Sequence, residues 1–233
     1  MKRYLLLPLI CLLAGPLFAQ KIIEKKLPYV TGREVNMNLK FGDSIRVRYW
    51  DKPEVSVRMA VEVNGGRLND AFLVETAMNE REISVKTDFD REKIKEGRAE
   101  DCPGNASTWR TDRDGQNHYI CSRINYDVYV PKEAGLKIET INGNIEIQGS
   151  AGAPVHAKTI SGFVDMGWPG NRGANVAMKT ITGEAYTDLA ISFPKEPKKN
   201  PIVGYQLEGT INGGGPEVRL ESISNNVYLR KTR

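Results

Sequence analysis

The amino-acid sequence predicts an all-β protein: a β-solenoid or β-helix-like stack of repeats preceded by antiparallel strands. Alternation of apolar and polar residues with period 2 runs through much of the chain. A short motif recurs through the second half, and the parity of the apolar positions flips at the same point in each copy.

The first stretch stands apart. "MKRYLLLPLICLLAGPLFAQ" opens on Lys2 and Arg3, continues as an apolar run from Tyr4 to Phe18 and reaches Ala19. This is the pattern of a secretory signal peptide over residues 1–19, and the run is short for a bilayer span. An uncleaved N-terminal anchor is the competing reading. Cys11 follows Ile10, where a lipoprotein signal needs a small residue. Residues 20–233 are expected to form one exported domain, in the periplasm, at the outer membrane or outside the cell.

Bulk chemistry narrows the partners. The formal net charge is +4, and it falls to +2 once Lys2 and Arg3 are removed. Nucleic-acid binders concentrate positive charge, so nucleic acid is not an expected partner. After the leader no apolar run reaches membrane-spanning length, so no transmembrane segment is expected there. Cys102 and Cys121 remain in an exported chain, which reads as one disulfide. No CxxC occurs and the histidines are His118 and His156, so neither metal nor cofactor is expected.

From Val35 to Val63 the apolar residues alternate: Val35, Met37, Leu39, then Ile45, Val47, Tyr49, then Val55 to Val63. "FGDS" and "DKPE" punctuate them as turns, and Phe72, Val74, Ile83 and Val85 continue the pattern. The expectation is an antiparallel meander with one dry face. Residues 88–122 break the rhythm, being charged and poor in aliphatics, and read as an insertion pinned by the disulfide. Within it "DRDGQN" resembles part of a calcium loop. Its glycine falls at position 4 rather than 6, so a solvated turn is the better reading.

The repeats are clearest over 126–229. "LKIETINGNIEI" at 136–147 aligns with "VHAKTISGFVDM" at 155–166 and "VAMKTITGEAYT" at 176–187. "YQLEGTINGG" at 205–214 and "VRLESISNNVYL" at 218–229 follow. The flip falls at Thr140/Ile141, Thr159/Ile160, Thr180/Ile181, Thr210/Ile211 and Ser222/Ile223. A flip repeated at one point is a corner, where the chain turns and both flanking strands keep facing one core. Spacings of 19 and 21 residues between the first three steps suit one coil of a solenoid. Hairpins in a sandwich or propeller are the competing arrangement.

These residues carry a resemblance. "YVPKEAGLKIETINGNIEI", "AKTISGFVDM" and "MKTITGEAYTDL" resemble the candidate-adhesin domain family of exported bacterial envelope proteins, with β-solenoid repeats around a T-I-x-G motif. The resemblance runs from about Val35 to Leu229 and implies export, a β-helix-like fold and no established catalytic residues. The insertion at 88–122 and "FPKEPKKNP" at 193–201 depart from the simplest family pattern, and specificity is expected there.

Chemistry is sparse. No GxSxG occurs, and "GTINGGGP" lacks the Lys-Ser/Thr of a P-loop. No catalytic residue is expected. Trp109, inside the disulfide loop, and Trp168, in "GWPGN", are the candidate ligand contacts, since rings outside a ladder core often mark contact surfaces. The function expected is a non-enzymatic adhesin or interaction scaffold that binds an envelope protein or glycan through a rigid face and its loops. The alternative is a carbohydrate-active β-helix enzyme, using a pair drawn from Glu139, Glu146, Asp165, Glu184 and Asp188.

Overall fold

The computed structural model describes residues 20–102, 107–111, 115, 117–149, 152–194 and 205–232; the side chains of 107–111 and 205 are outside it. Strands dominate it, with three short 3-10 turns among them. One eight-stranded sheet runs, edge to edge, β1 (Lys21–Pro28), β4 (Glu54–Val63), β9 (Ser122–Pro131), β3 (Ser44–Trp50), β11 (Asn144–Gln148), β13 (Val164–Pro169), β18 (Val227–Thr232) and β15 (Ala185–Thr187). The second eight-stranded sheet runs β16 (Tyr205–Ile211), β14 (Ala174–Thr180), β17 (Glu217–Ser222), β12 (Val155–Thr159), β10 (Gly135–Thr140), β2 (Glu34–Leu39), β6 (Glu82–Phe89) and β5 (Phe72–Met78). β7 (Ser107–Thr111) and β8 (Asn117–Ile120) form a separate hairpin. Both sheets are mixed, and their inner faces share one apolar core.

The building block is a strand, a corner and a second strand in the opposite sheet. In the 135–148 unit Leu136, Ile138 and Thr140 point inward, the chain turns, and Ile145 and Ile147 point inward again. That is the parity flip seen in the sequence. Units stack in parallel register, so equivalent side chains form inward rows such as Met178, Leu220, Ala157, Ile138, Met37 and Val85. Burying each large member of such a row contributes about 1.5–3 kcal/mol. The spatial order of units is not chain order: 82–131, 34–50, 135–148, 155–169, 217–232, then 174–187.

Hydroxyls fasten the corners. Ser222 donates to the Gly162 carbonyl (2.7 Å) and accepts the Asn225 N–H (3.1 Å). Thr180 repeats this one unit further, donating to the Asn225 carbonyl (2.7 Å) and accepting the Gly183 N–H (3.1 Å). The corner glycines serve close approach. A Cβ on Gly162 would lie 2.1 Å from the Gly143 carbonyl oxygen, and one on Gly183 would lie 2.2 Å from that of Asn225. The corner isoleucines Ile160 and Ile181 point outward, 39% and 40% exposed, so the strand residues fill the interior without them.

Two expectations are corrected. The stretch from Val35 to Trp50 is not part of a meander: β2 and β3 lie in different sheets, each parallel to its neighbours on both sides. β2 and β3 form another corner unit, and antiparallel pairing is confined here to β1–β4, β4–β9 and β5–β6. The copy at 205–214 is not a corner unit either. β16 runs antiparallel beside β14, and the chain then reverses through Asn212, Gly213 and Gly214, all at positive φ. The 88–122 insertion occupies the corner of the end unit, carrying the chain from β6 to β9 and including the β7–β8 hairpin. The Cys102–Cys121 disulfide closes it.

Candidate binding face

The two outer surfaces differ in chemistry. On the second sheet the row Gln206, Lys179, Glu221, Lys158, Glu139, Asn38, Lys86, Glu75 crosses all eight strands in register. Lys179, Glu221, Lys158 and Glu139 alternate in sign, and such opposite-charge neighbours contribute about 0.2–1 kcal/mol each. His156 sits half-buried one row away, 3.5 Å from a Glu221 carboxylate oxygen. Burial pulls its pKa below the usual histidine value, against the opposing pull of Glu221.

The first sheet carries stacked aromatic rings, where the second has the exposed Phe193 beside Glu217 and Arg219. Across the first sheet the equivalent row reads Tyr186, Tyr228, Asp165, Glu146, Arg46, Asp127, Arg58, Glu24. Tyr186 and Tyr228 stack with ring centres 5.3 Å apart, and Phe163 meets Tyr228 edge-on at 6.3 Å. The Arg230 guanidinium lies 4.6 Å from the Tyr228 ring centre while its Nε bonds both Asp165 oxygens, at 3.0 and 2.9 Å. Tyr186 is 45% exposed on the last strand of the sheet. Its hydroxyl donates to the Glu184 carboxylate, which raises the phenol pKa above its ordinary value.

A second aromatic cluster lies on the same surface near the other end. Trp50 and Tyr129 stack at 4.9 Å, Lys52 sits 4.8 Å above the indole, and Arg48 donates to the Tyr129 hydroxyl (3.2 Å). The indole N–H of Trp50 bonds the Glu54 carbonyl (2.7 Å), which fixes the ring. Rigid rings flanked by cations and carboxylates can stack on apolar faces and hydrogen-bond polar edges.

The residues expected at the site fare differently. Trp168 is fully buried, and its indole N–H bonds the Arg172 carbonyl (3.0 Å) inside the turn. It therefore offers a ligand no surface, and its part as a contact is corrected. The Trp109 side chain lies outside the described residues, as do 195–204 of the second divergent loop and residues 1–19. The five carboxylates of the enzymatic alternative are not gathered at one cleft. Glu139 faces away from the others on the second sheet, 3.2 Å from Lys137. Asp165 is held by Arg230, Glu184 by Tyr186, and Asp188 accepts the Lys231 N–H (2.6 Å). Glu146 is the strand neighbour of Asp165.

Tyr186 and Tyr228 were not singled out by the sequence reading. Their signal was present: both occupy the eleventh position of their repeat copies, the outward column that holds Glu146 and Asp165 in the others. Among the described residues no group of three or more His, Cys, Asp or Glu could hold a metal ion. Nor is any described helix long and apolar enough to cross a membrane.

The chain matches no family model and no curated protein. Among solved structures it is similar to a candidate cell adhesion protein from Clostridium sporogenes, with a TM-score of 0.53 at 9% identity, covering 92% of this chain and 100% of that one. A candidate adhesin from Bacteroides fragilis gives a TM-score of 0.33 at 9% identity, over 92% and 98% of the two chains. The first likeness shows a shared fold across nearly the full length of both chains.

Proposed function

We propose that this is an exported, non-enzymatic cell-envelope protein, an adhesin or interaction scaffold that binds through a rigid face. On this reading residues 20–233 form one β-solenoid-like domain whose units stack out of chain order, and residues 1–19 are its signal peptide. The Cys102–Cys121 disulfide supports export, because such bonds persist in oxidising compartments. The fold shared with a candidate cell adhesion protein supports the adhesive role.

One observation carries the choice of face: the outer aromatic clusters Tyr186–Tyr228–Phe163 and Trp50–Tyr129 both lie on the first sheet. The partner is a glycan or protein of the envelope, stacked on the rings and oriented by Arg230, Glu184, Arg48 and Lys52.

The test is an array of glycans and envelope proteins probed with the purified chain, run beside hydrolysis assays on the same sugars. Binding without turnover is expected. The double variant Tyr186→Ala/Tyr228→Ala should weaken it at least about tenfold. Lys158→Ala, on the opposite face, should leave it intact. Turnover of any sugar would overturn the reading in favour of the carboxylates. Binding lost in Lys158→Ala and kept in the tyrosine variant would move the site to the second sheet.

A further inference from the structure

The two large sheets are open, so the stack has four strand edges, and an open edge is a template for another strand. Three of the four carry features that discourage pairing. β1 places Lys21 and Lys25 on its core-facing side, opposite Val61 and Val57, and ends at Pro28. β15 is only three residues long. β16 is partly covered, because Ser192 and Thr210 exchange two backbone hydrogen bonds of 2.8 and 2.9 Å.

The fourth edge, β5, has none of these among the described residues, and its one charge is Glu75. Its seven residues, "FLVETAM", contain no lysine, proline or glycine, and they pair with β6 without a register break. Only Phe72 is buried; from Leu73 onward the strand is exposed or half-exposed on both of its faces. Leu73 and Met78 are 40% and 48% exposed. A long, regular, apolar edge left this open is the arrangement that natural sheets avoid unless something pairs with it.

We infer that β5 pairs antiparallel with β5 of a second copy of this chain, across a two-fold axis beside Thr76. The register is part of the proposal, chosen to keep like charges apart. In an antiparallel pair, opposed residues share a face, so a two-fold axis sets one residue against itself. Centring on Glu75 would oppose two carboxylates, which is destabilising. Centring on Thr76 sets Thr76 against Thr76, Glu75 against Ala77 and the half-buried Val74 against the exposed Met78. Like charges are kept apart, and Glu75 retains Lys86 as its neighbour within its own chain. The second sheet then continues unbroken from one copy into the other, and both aromatic faces stay free.

The test uses the purified full-length mature chain, with its native disulfide intact. Sedimentation and light scattering should give a mass twice that of one chain, dissociating on dilution. Thr76→Lys places two like charges at the axis and should halve that mass while leaving the melting temperature of the monomer unchanged. Thr76→Cys should give a covalent dimer when treated with oxidised glutathione, since residues opposed in a sheet lie within disulfide reach. Ala77→Cys, which faces Glu75 of the other copy, should not. A monomer at all concentrations would overturn the inference. So would a dimer that cross-links through Ala77→Cys and not Thr76→Cys, or one that survives Thr76→Lys.

Discussion

Thr159 donates its hydroxyl to the Gly143 carbonyl of the neighbouring unit at 2.8 Å and accepts the Gly162 N–H of its own corner at 3.2 Å. Thr140 holds the same position one unit along, yet its buried hydroxyl finds no partner among the described residues. The unit beyond it is 34–50, which presents Leu39 in that row. Two chemically identical substitutions should therefore differ. Thr159→Val strands a buried carbonyl and N–H and should cost about 2–3 kcal/mol. Thr140→Val removes an unsatisfied group and should be neutral or stabilising. Urea denaturation of the two variants measures the difference directly.

Gly162→Ala should be among the most damaging single changes in the stack. Its Cβ would fall 2.1 Å from the Gly143 carbonyl oxygen, 2.5 Å from its carbonyl carbon and 2.9 Å from the Asn144 nitrogen, and backbone leaves little room to yield. A loss of about 3 kcal/mol or more is expected, at the upper end of overpacking costs. Gly152→Ala, with nothing within 4 Å, serves as the matched control and should melt with the parent.

Removing the disulfide should loosen the end unit. Cys102 and Cys121 are 19 residues apart, and closing such a loop contributes about 3 kcal/mol on chain-entropy grounds. Cys102→Ser/Cys121→Ser should lower the thermal midpoint and speed proteolysis within 88–122 before the rest of the chain is cut. Limited proteolysis followed by mass spectrometry locates the first cleavage.

The same insertion should set part of the acid limit of stability. Asp101 is bonded by Arg67 at 3.0 Å, by the Arg98 N–H at 3.0 Å and by the Asn64 side chain. These contacts, the Arg67 bond foremost, hold its carboxyl below the ordinary value of 3.8. A depressed folded-state pKa means stability that is full above the unfolded value and lost as pH falls through the folded one. The gap in melting temperature between the parent and Asp101→Asn should therefore be widest near neutrality and close below about pH 4.

How far the sequence could be read depended on parity. The corners at Thr140, Thr159, Thr180 and Ser222 were legible because five positions separate the last inward residue of one strand from the first of the next, as from Thr140 to Ile145. In the 34–50 unit an extra residue lies between Leu39 and Ile45, with Phe41 at φ 59°. Parity is then preserved across the corner, and two strands of opposite sheets read as one meander. Trp168 could have been placed correctly by the same rule, since it shares parity with the buried Val164 and Met166. The turn residues around it drew the reading outward. At 205–214 the letters of the motif are present, but the run of left-handed residues after Ile211 makes a reversal instead of a corner.

The stacking order was beyond reach for a different reason. The unit at 217–232 enters with Val218, Leu220 and Ser222 against Val155, Ala157 and Thr159 on one side, and with Val218 and Leu220 against Val176 and Met178 on the other. Apolar rows this similar accept one another in several orders, and side-chain chemistry alone does not rank them. The aromatic column at Tyr186 and Tyr228 was readable in principle, because alignment of the copies brings the two tyrosines together.

That interleaved order has a consequence for how the chain is made. The unit at 174–187 has no parallel neighbour of its own until 217–232 has been synthesised, because the later segment is the one that joins it to 155–169. A chain threaded amino-end first through a membrane pore would thus emerge with its middle waiting on its end. Completion becomes a single late insertion that locks two earlier segments together, and a transport route that keeps the chain extended until release suits it better than one that folds it piece by piece.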